Sequence, residues 1–148
     1  MNTRSLIAFW CYFVALIAPA AWGIMFLFRD EFMPYHAAAV SMPWGQVPET
    51  FQVLILALLK LVGAAWFTSA VAVLLLLLVP FRQGSKWARW AVPSLALLHY
   101  SGVFTAMTYV ARNSPATPPW NFALAGAALV LAGASLSIPR RSDAQGRK

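Results

Sequence analysis

Residues 51–79 read FQVLILALLKLVGAAWFTSAVAVLLLLLV, an apolar run broken by a single charge at Lys60. A helix needs about 20 apolar residues to cross a hydrocarbon core of roughly 30 Å, and inside that core each backbone group must find its partner within the segment. The run exceeds this length and is far longer than a barrel strand of about 10 residues, so it predicts a transmembrane helix. Three more runs read the same way: Ser5 to Phe28, Trp90 to Val110 and Trp120 to Ile138, none of which contains Asp, Glu, Lys or Arg. The expectation is an all-α membrane protein with four transmembrane helices, about 5–28, 51–79, 90–110 and 120–138. They form one up-and-down bundle domain over 1–138, followed by a polar cytoplasmic tail over 139–148.

Composition points the same way. Of 148 residues, 61% are hydrophobic and only 10% charged, too few charges to cover a water-soluble domain of this size. The first run also resembles a signal peptide, with a basic start at Asn2 to Arg4 and small residues at Ala18-Pro19-Ala20. Apolar sequence continues through Trp22 to Phe28, well past an h-region of about 7 to 15 residues, so a retained helix is expected.

Basic residues orient the spans. Arg4, the connection bearing Arg82, Lys86 and Arg89, and the tail bearing Arg140, Arg141, Arg147 and Lys148 place eight on one side against Arg29 and Arg112 on the other. Positive residues favour the cytoplasmic face, which puts both termini in the cytoplasm and suits a multi-pass protein of the inner (plasma) membrane. The same distribution accounts for the net charge of +7 without nucleic acid, because no basic stripe with stacking aromatics accompanies it. Cys11 is alone, so neither an intramolecular disulfide nor a cysteine pair for a metal arises.

Polar residues inside the runs are the candidate sites. Lys60 lies about 28 Å from Val79 along a helix, near the outer headgroups, where it either anchors the helix or binds an anionic group. His99 sits near mid-membrane on a face shared with Val92, Leu95, Ala96, Gly102, Val103 and Ala106 and should point into the bundle. Pro19 has no N–H to give the Ala15 carbonyl, and Thr68 and Ser69 fall at a similar depth. His99 is therefore expected to hydrogen-bond Ala15, Thr68 or Ser69, as interhelical glue or as a ligand or proton-relay group. Ser94, Ser101, Thr105, Thr108 and Arg112 form a stripe on the opposite face, lining a water-filled crevice or bonding to their own backbone. Gly63, Ala64 and Ala65, with Gly126, Ala128, Ala132 and Gly133, predict close helix packing within one chain or between copies.

The outer connection, 29–50, mixes Met, aromatic and acidic residues with His36 and is expected to fold onto the membrane interface as a partial lid. Its ligand spacing is diagnostic of no metal. No paired carboxylates, Ser-His-Asp set or phosphate loop occur within the spans, and a bis-histidine haem is disfavoured with His36 and His99 at different depths. No cofactor, metal or catalytic residue is expected. The layout resembles that of small bacterial inner-membrane proteins, including transporters, but the first helix lacks the membrane carboxylate of the small multidrug exporters. Two function classes follow. One is a non-catalytic subunit that binds lipid, another membrane protein or a second copy of itself. The other is a small transporter or ligand-binding bundle with an outward-facing polar cavity near His99, drawing on Lys60, Thr68, Ser69, Ser101 and Thr105.

Overall fold

The computed structural model describes residues 1–138, so the expected polar tail over 139–148 lies outside the described residues. All regular structure among them is helical. Helix α1 spans Thr3–Phe28 and starts at Asn2, whose side-chain oxygen accepts from the Ser5 N–H at 2.9 Å. A short helix, α2 (Pro34–Val40), and a 3₁₀ turn (Trp44–Gln46) occupy the outer connection. Helix α3 spans Glu49–Leu76 and continues into a π-helical turn, Leu77–Phe81. Helix α4 spans Ala88–Asn113 and α5 spans Trp120–Ser137.

The prolines act differently from simple stops. Pro80 lies within the π turn, whose wider hydrogen-bonding pattern tolerates the missing N–H and the ring, so the helix runs past it to Phe81. The chain reverses instead at Gly84, whose φ of +79° suits a residue without a Cβ. Pro19 and Pro93 sit inside α1 and α4.

Three helices are long and apolar enough to cross a membrane: α1, the continuous α3 and π-turn segment Glu49–Phe81, and α5. Helix α4 equals α1 in length at 26 residues but carries His99, Arg112 and the Ser and Thr stripe, and so falls short in mean hydropathy. Large apolar side chains face outward on all four long helices: Ile17 is 53% exposed, Leu61 66%, Leu98 69% and Leu131 56%. An outer surface of this kind suits lipid contact rather than water.

Helix α1 packs most broadly against α3 and α5, while α4 packs on α5 and more narrowly on α3. Glycines set the closest approaches. A Cβ on Gly63 would come within 2.7 Å of the Gly23 carbonyl oxygen, and one on Gly23 within 2.7 Å of the Phe67 nitrogen, so α1 and α3 meet backbone to backbone. Gly126 and Gly133 of α5 lie under the rings of Tyr100 and Tyr12. These four glycines therefore serve packing within the chain, while Ala65, Ala128 and Ala132 are exposed.

Buried side chains form two clusters. The larger joins Ala8, Tyr12, Leu77, Ala88, Val92 and Val130, and contains the 2.8 Å hydrogen bond between the hydroxyls of Tyr12 and Ser137. The smaller gathers Phe26, Phe32, Val47 and Leu59, with Trp22, Trp44 and Trp66 packed around them. Through Phe32, Met33, Ala37 and Trp44 the outer connection is folded onto the ends of α1 and α3.

Candidate functional site

The polar groups that meet between helices lie where Pro19 interrupts α1. Without an N–H at Pro19 the Ala15 carbonyl lacks its helical donor, and Tyr100 supplies one, its hydroxyl donating at 2.7 Å in a buried setting. Of the partners expected for His99, the Ala15 carbonyl goes instead to Tyr100, the next residue, and Ser69 is the one that His99 meets. Val92, Ala96, Tyr100 and Val103 form the buried stripe of α4, and His99 stands at its half-buried edge, while Gly102 and Ala106 of its expected face are exposed.

At that edge His99 meets Ser69 of α3, with Nδ1 3.3 Å from Oγ. Ser69 also donates to the Trp66 carbonyl at 2.9 Å. A hydroxyl has one hydrogen, so with that hydrogen given to Trp66 the oxygen accepts from His99, placing the ring proton on Nδ1. In the neutral ring Nε2 is then an acceptor, and among the described residues it has no partner. The ring is held edge-on between Trp66 and Tyr100, at centroid distances of 5.3 and 5.7 Å.

Two cavities meet at this ring. One, of about 270 Å³, lies between α3 and α4 with α1 behind it; Ser69, His99 and Tyr100 form its polar end, and the exposed Ala72, Leu95 and Leu98 form its rim. The other is a tighter cleft of about 50 Å³, enclosed by Trp22, Phe26, Trp66 and Phe122, with Tyr35 of α2 at its outer end. Pro19, His99 and Tyr100 line both. Burial pushes the Tyr35 phenol above its ordinary range, so it stays un-ionised there. Its neighbour His36 uses Nδ1 to accept from the Met33 N–H at 3.3 Å, which pins the first turn of α2. Burial, and then the nearby positive Arg29, hold His36 below the usual histidine value.

The remaining sequence candidates lie elsewhere. Thr68 is exposed, one position round α3 from Ser69. Ser101 and Thr105 are exposed and give their hydrogens to the carbonyls of Leu98 and Ser101, at 2.7 and 2.8 Å. Of the two arrangements the stripe allows, Ser101 and Thr105 show bonding to their own backbone and line neither cavity, and both cavities are walled mainly by apolar and aromatic side chains. Lys60 is remote from His99's partners: its ammonium donates to the Leu27 and Arg29 carbonyls at 3.0 and 3.4 Å, capping the end of α1. Among the described residues no three of His, Cys, Asp and Glu cluster as metal ligands.

Tyr100 and Trp66 were missed as site residues. Position 100 could have been found from the spacing of four that runs from Val92 through Ala96, which selects it as buried and gives its hydroxyl the reach of a whole ring. Trp66 joins only through long-range packing. Comparison with protein-family models, with curated proteins and with solved structures found no match.

Proposed function

We propose that this chain is a four-span membrane protein that binds a lipid-soluble molecule, without catalysing its conversion, in the cavity between α3 and α4. A hydroxyl or other hydrogen donor of that molecule is recognised by Nε2 of His99. The observation that carries this reading is that His99, whose Nε2 has no hydrogen-bond partner among the described residues, lines with Ser69 and Tyr100 a cavity of about 270 Å³ whose other walls are apolar and whose rim is exposed on the lipid-facing side. A pocket with apolar walls and few polar groups suits a ligand that is mostly hydrocarbon with one orienting group. A charged solute would lose its hydration there without a counter-charge.

Four spans are supported by the course of α4. Ala88 packs in the cluster that holds Ala8 and Phe81, His99 meets Ser69 midway, and Phe104 stacks on Trp120 at 6.3 Å near the start of α5. Helix α4 thus runs beside its neighbours along their length, as expected of a fourth member of an up-and-down bundle. The excess of basic residues at the N-terminal and Arg82 to Arg89 end supports cytoplasmic termini in the inner membrane. A non-catalytic role is supported by the setting of His99, whose one hydrogen-bond partner among the described residues is a serine already committed to a carbonyl. Passage of the ligand from the lateral cavity to the outer cleft is a second reading, favoured by the wall of Pro19, His99 and Tyr100 that the two share.

The test is purification from native membranes in mild detergent, followed by mass spectrometry of retained small molecules. A stoichiometric lipid-soluble compound is expected, depleted in His99→Ala and in Ala72→Trp, which plugs the rim. Equal retention in both variants overturns the proposal. Reporter tags at Met1 and Lys148 test the topology, and tags on opposite faces of the membrane would refute four spans.

A further inference from the structure

A second site stands at the opposite end of the molecule from α2. The turn at Gly84 wraps Arg82 and Gln83 round the start of α1, and Arg89 approaches from the first turn of α4. Together with Asn2 and Ser5 they surround a cavity of about 260 Å³. Among the described residues the one ion pair is Arg29 with Glu31, beyond the outer end of α1, so neither Arg82 nor Arg89 has a carboxylate partner among those residues. Three of the four acidic residues, Asp30, Glu31 and Glu49, lie at that outer end, and the fourth, Asp143, falls outside the described residues. The start of α1 adds the positive end of its dipole.

A groove of about 550 Å³ adjoins this cavity and shares Met1 and Arg82 with it. Its walls are apolar: Leu6, Phe9, Trp10 and Phe13 on α1 and Leu78 on the π turn. Trp10 is 54% exposed, and its ring meets Phe9 and Phe13 edge-on at 5.4 and 5.5 Å, so the groove has a firm aromatic wall that no other part of the described chain covers. A basic, donor-rich pocket that opens onto an apolar channel along a membrane helix matches a molecule with an anionic phosphate at one end and a hydrocarbon chain at the other.

We infer that this end of the protein binds an anionic phospholipid, its phosphate between Arg82 and Arg89 and one acyl chain along Leu6, Trp10 and Leu78. Guanidinium forks suit phosphate oxygens, and a free phosphate would leave the apolar groove empty. The continuity of pocket and groove selects the lipid. This inference is independent of the His99 cavity, with which the site shares no residue.

The full chain in mild detergent is titrated with phosphatidylglycerol, phosphatidylcholine or soluble glycerol phosphate, and lipid adducts are counted by native mass spectrometry. The anionic lipid is expected to bind roughly tenfold more tightly than the zwitterionic one, and the preference should vanish in R82Q/R89Q. Trp10→Ala, a change on the exposed side of α1, should weaken both lipids while keeping the preference. Lys86→Gln removes a charge from the same end but lines neither cavity, so it should leave the preference intact. Loss of preference in Lys86→Gln equal to that in the double variant would mean a diffuse surface potential and overturn the site. Full displacement by glycerol phosphate at lipid-like concentration would overturn it in favour of a free-phosphate pocket. Should the double variant fail to fold, Trp10→Ala and the glycerol phosphate competition still decide.

Discussion

The hydroxyl of Tyr100 lies 2.7 Å from the carbonyl oxygen of Ala15, joining α4 to α1 at the point where Pro19 has removed the helix's own donor. A buried carbonyl without a donor costs about 1–3 kcal/mol, so Tyr100→Phe should destabilise the protein by that amount in reversible unfolding from mixed micelles. Pro19→Ala returns an N–H to the same carbonyl. In that background Tyr100→Phe should cost much less, and additive effects in the double-mutant cycle would disprove the link.

The glycines divide by what lies above them. Gly126→Ala drives a methyl into the Tyr100 ring and should destabilise by about 1–3 kcal/mol. Gly102, with nothing within 4 Å of an added Cβ, should gain about 0.5–1 kcal/mol from the same change, through helix propensity alone. Thermal unfolding of the two variants side by side checks the contrast.

Lys60→Met should fray the end of α1, because the ammonium supplies donors to Leu27 and Arg29 that the last turn of α1 lacks. The side chain is exposed, so the loss should be about 1 kcal/mol or less. Faster amide exchange confined to the last turn of α1, Met25 to Phe28, is the expected signature.

Docking of α2 should depend on pH. His36 accepts from the Met33 N–H as a neutral ring, and its folded value lies below the ordinary 6.5. The stabilisation is complete above about 6.5 and is lost as pH falls through the lower folded value, since the undocked state takes up the proton first. Protection factors over 33–40, which correct for the intrinsic slowing of exchange in acid, should drop across that interval. In His36→Ala the protection should be lower at neutral pH and lose most of its pH dependence.

The long helices were legible because each apolar run is long and its boundary residues are distinctive. Ser5 to Phe28 became Thr3–Phe28, and Trp120 to Ile138 became Trp120–Ser137. The second run extended beyond Val79, since a π turn lets helix persist through a proline that reads as a stop. Helix α2 was hidden in a short stretch, Pro34–Val40, whose stability comes from Phe32 and Trp44 packing on other helices rather than from its own pattern. At the site, depth along each helix placed Ser69 and His99 at comparable levels, but rotation about each axis was harder to read. A helix advances about 100° per residue, so Tyr100 rather than His99 reached Ala15, and Thr68 faces outward while Ser69 faces His99.

The backbone contact of Gly23 with Gly63 has a mechanical result. Where no side chains intervene, α1 and α3 have nothing soft to compress or slide on at that level, and with α5 seated on α1 they act as a fixed plate. Helix α4, packed on α5 and more narrowly along α3, makes no such backbone-to-backbone contact with α3, so the seam between α3 and α4 is the least interlocked line in the bundle.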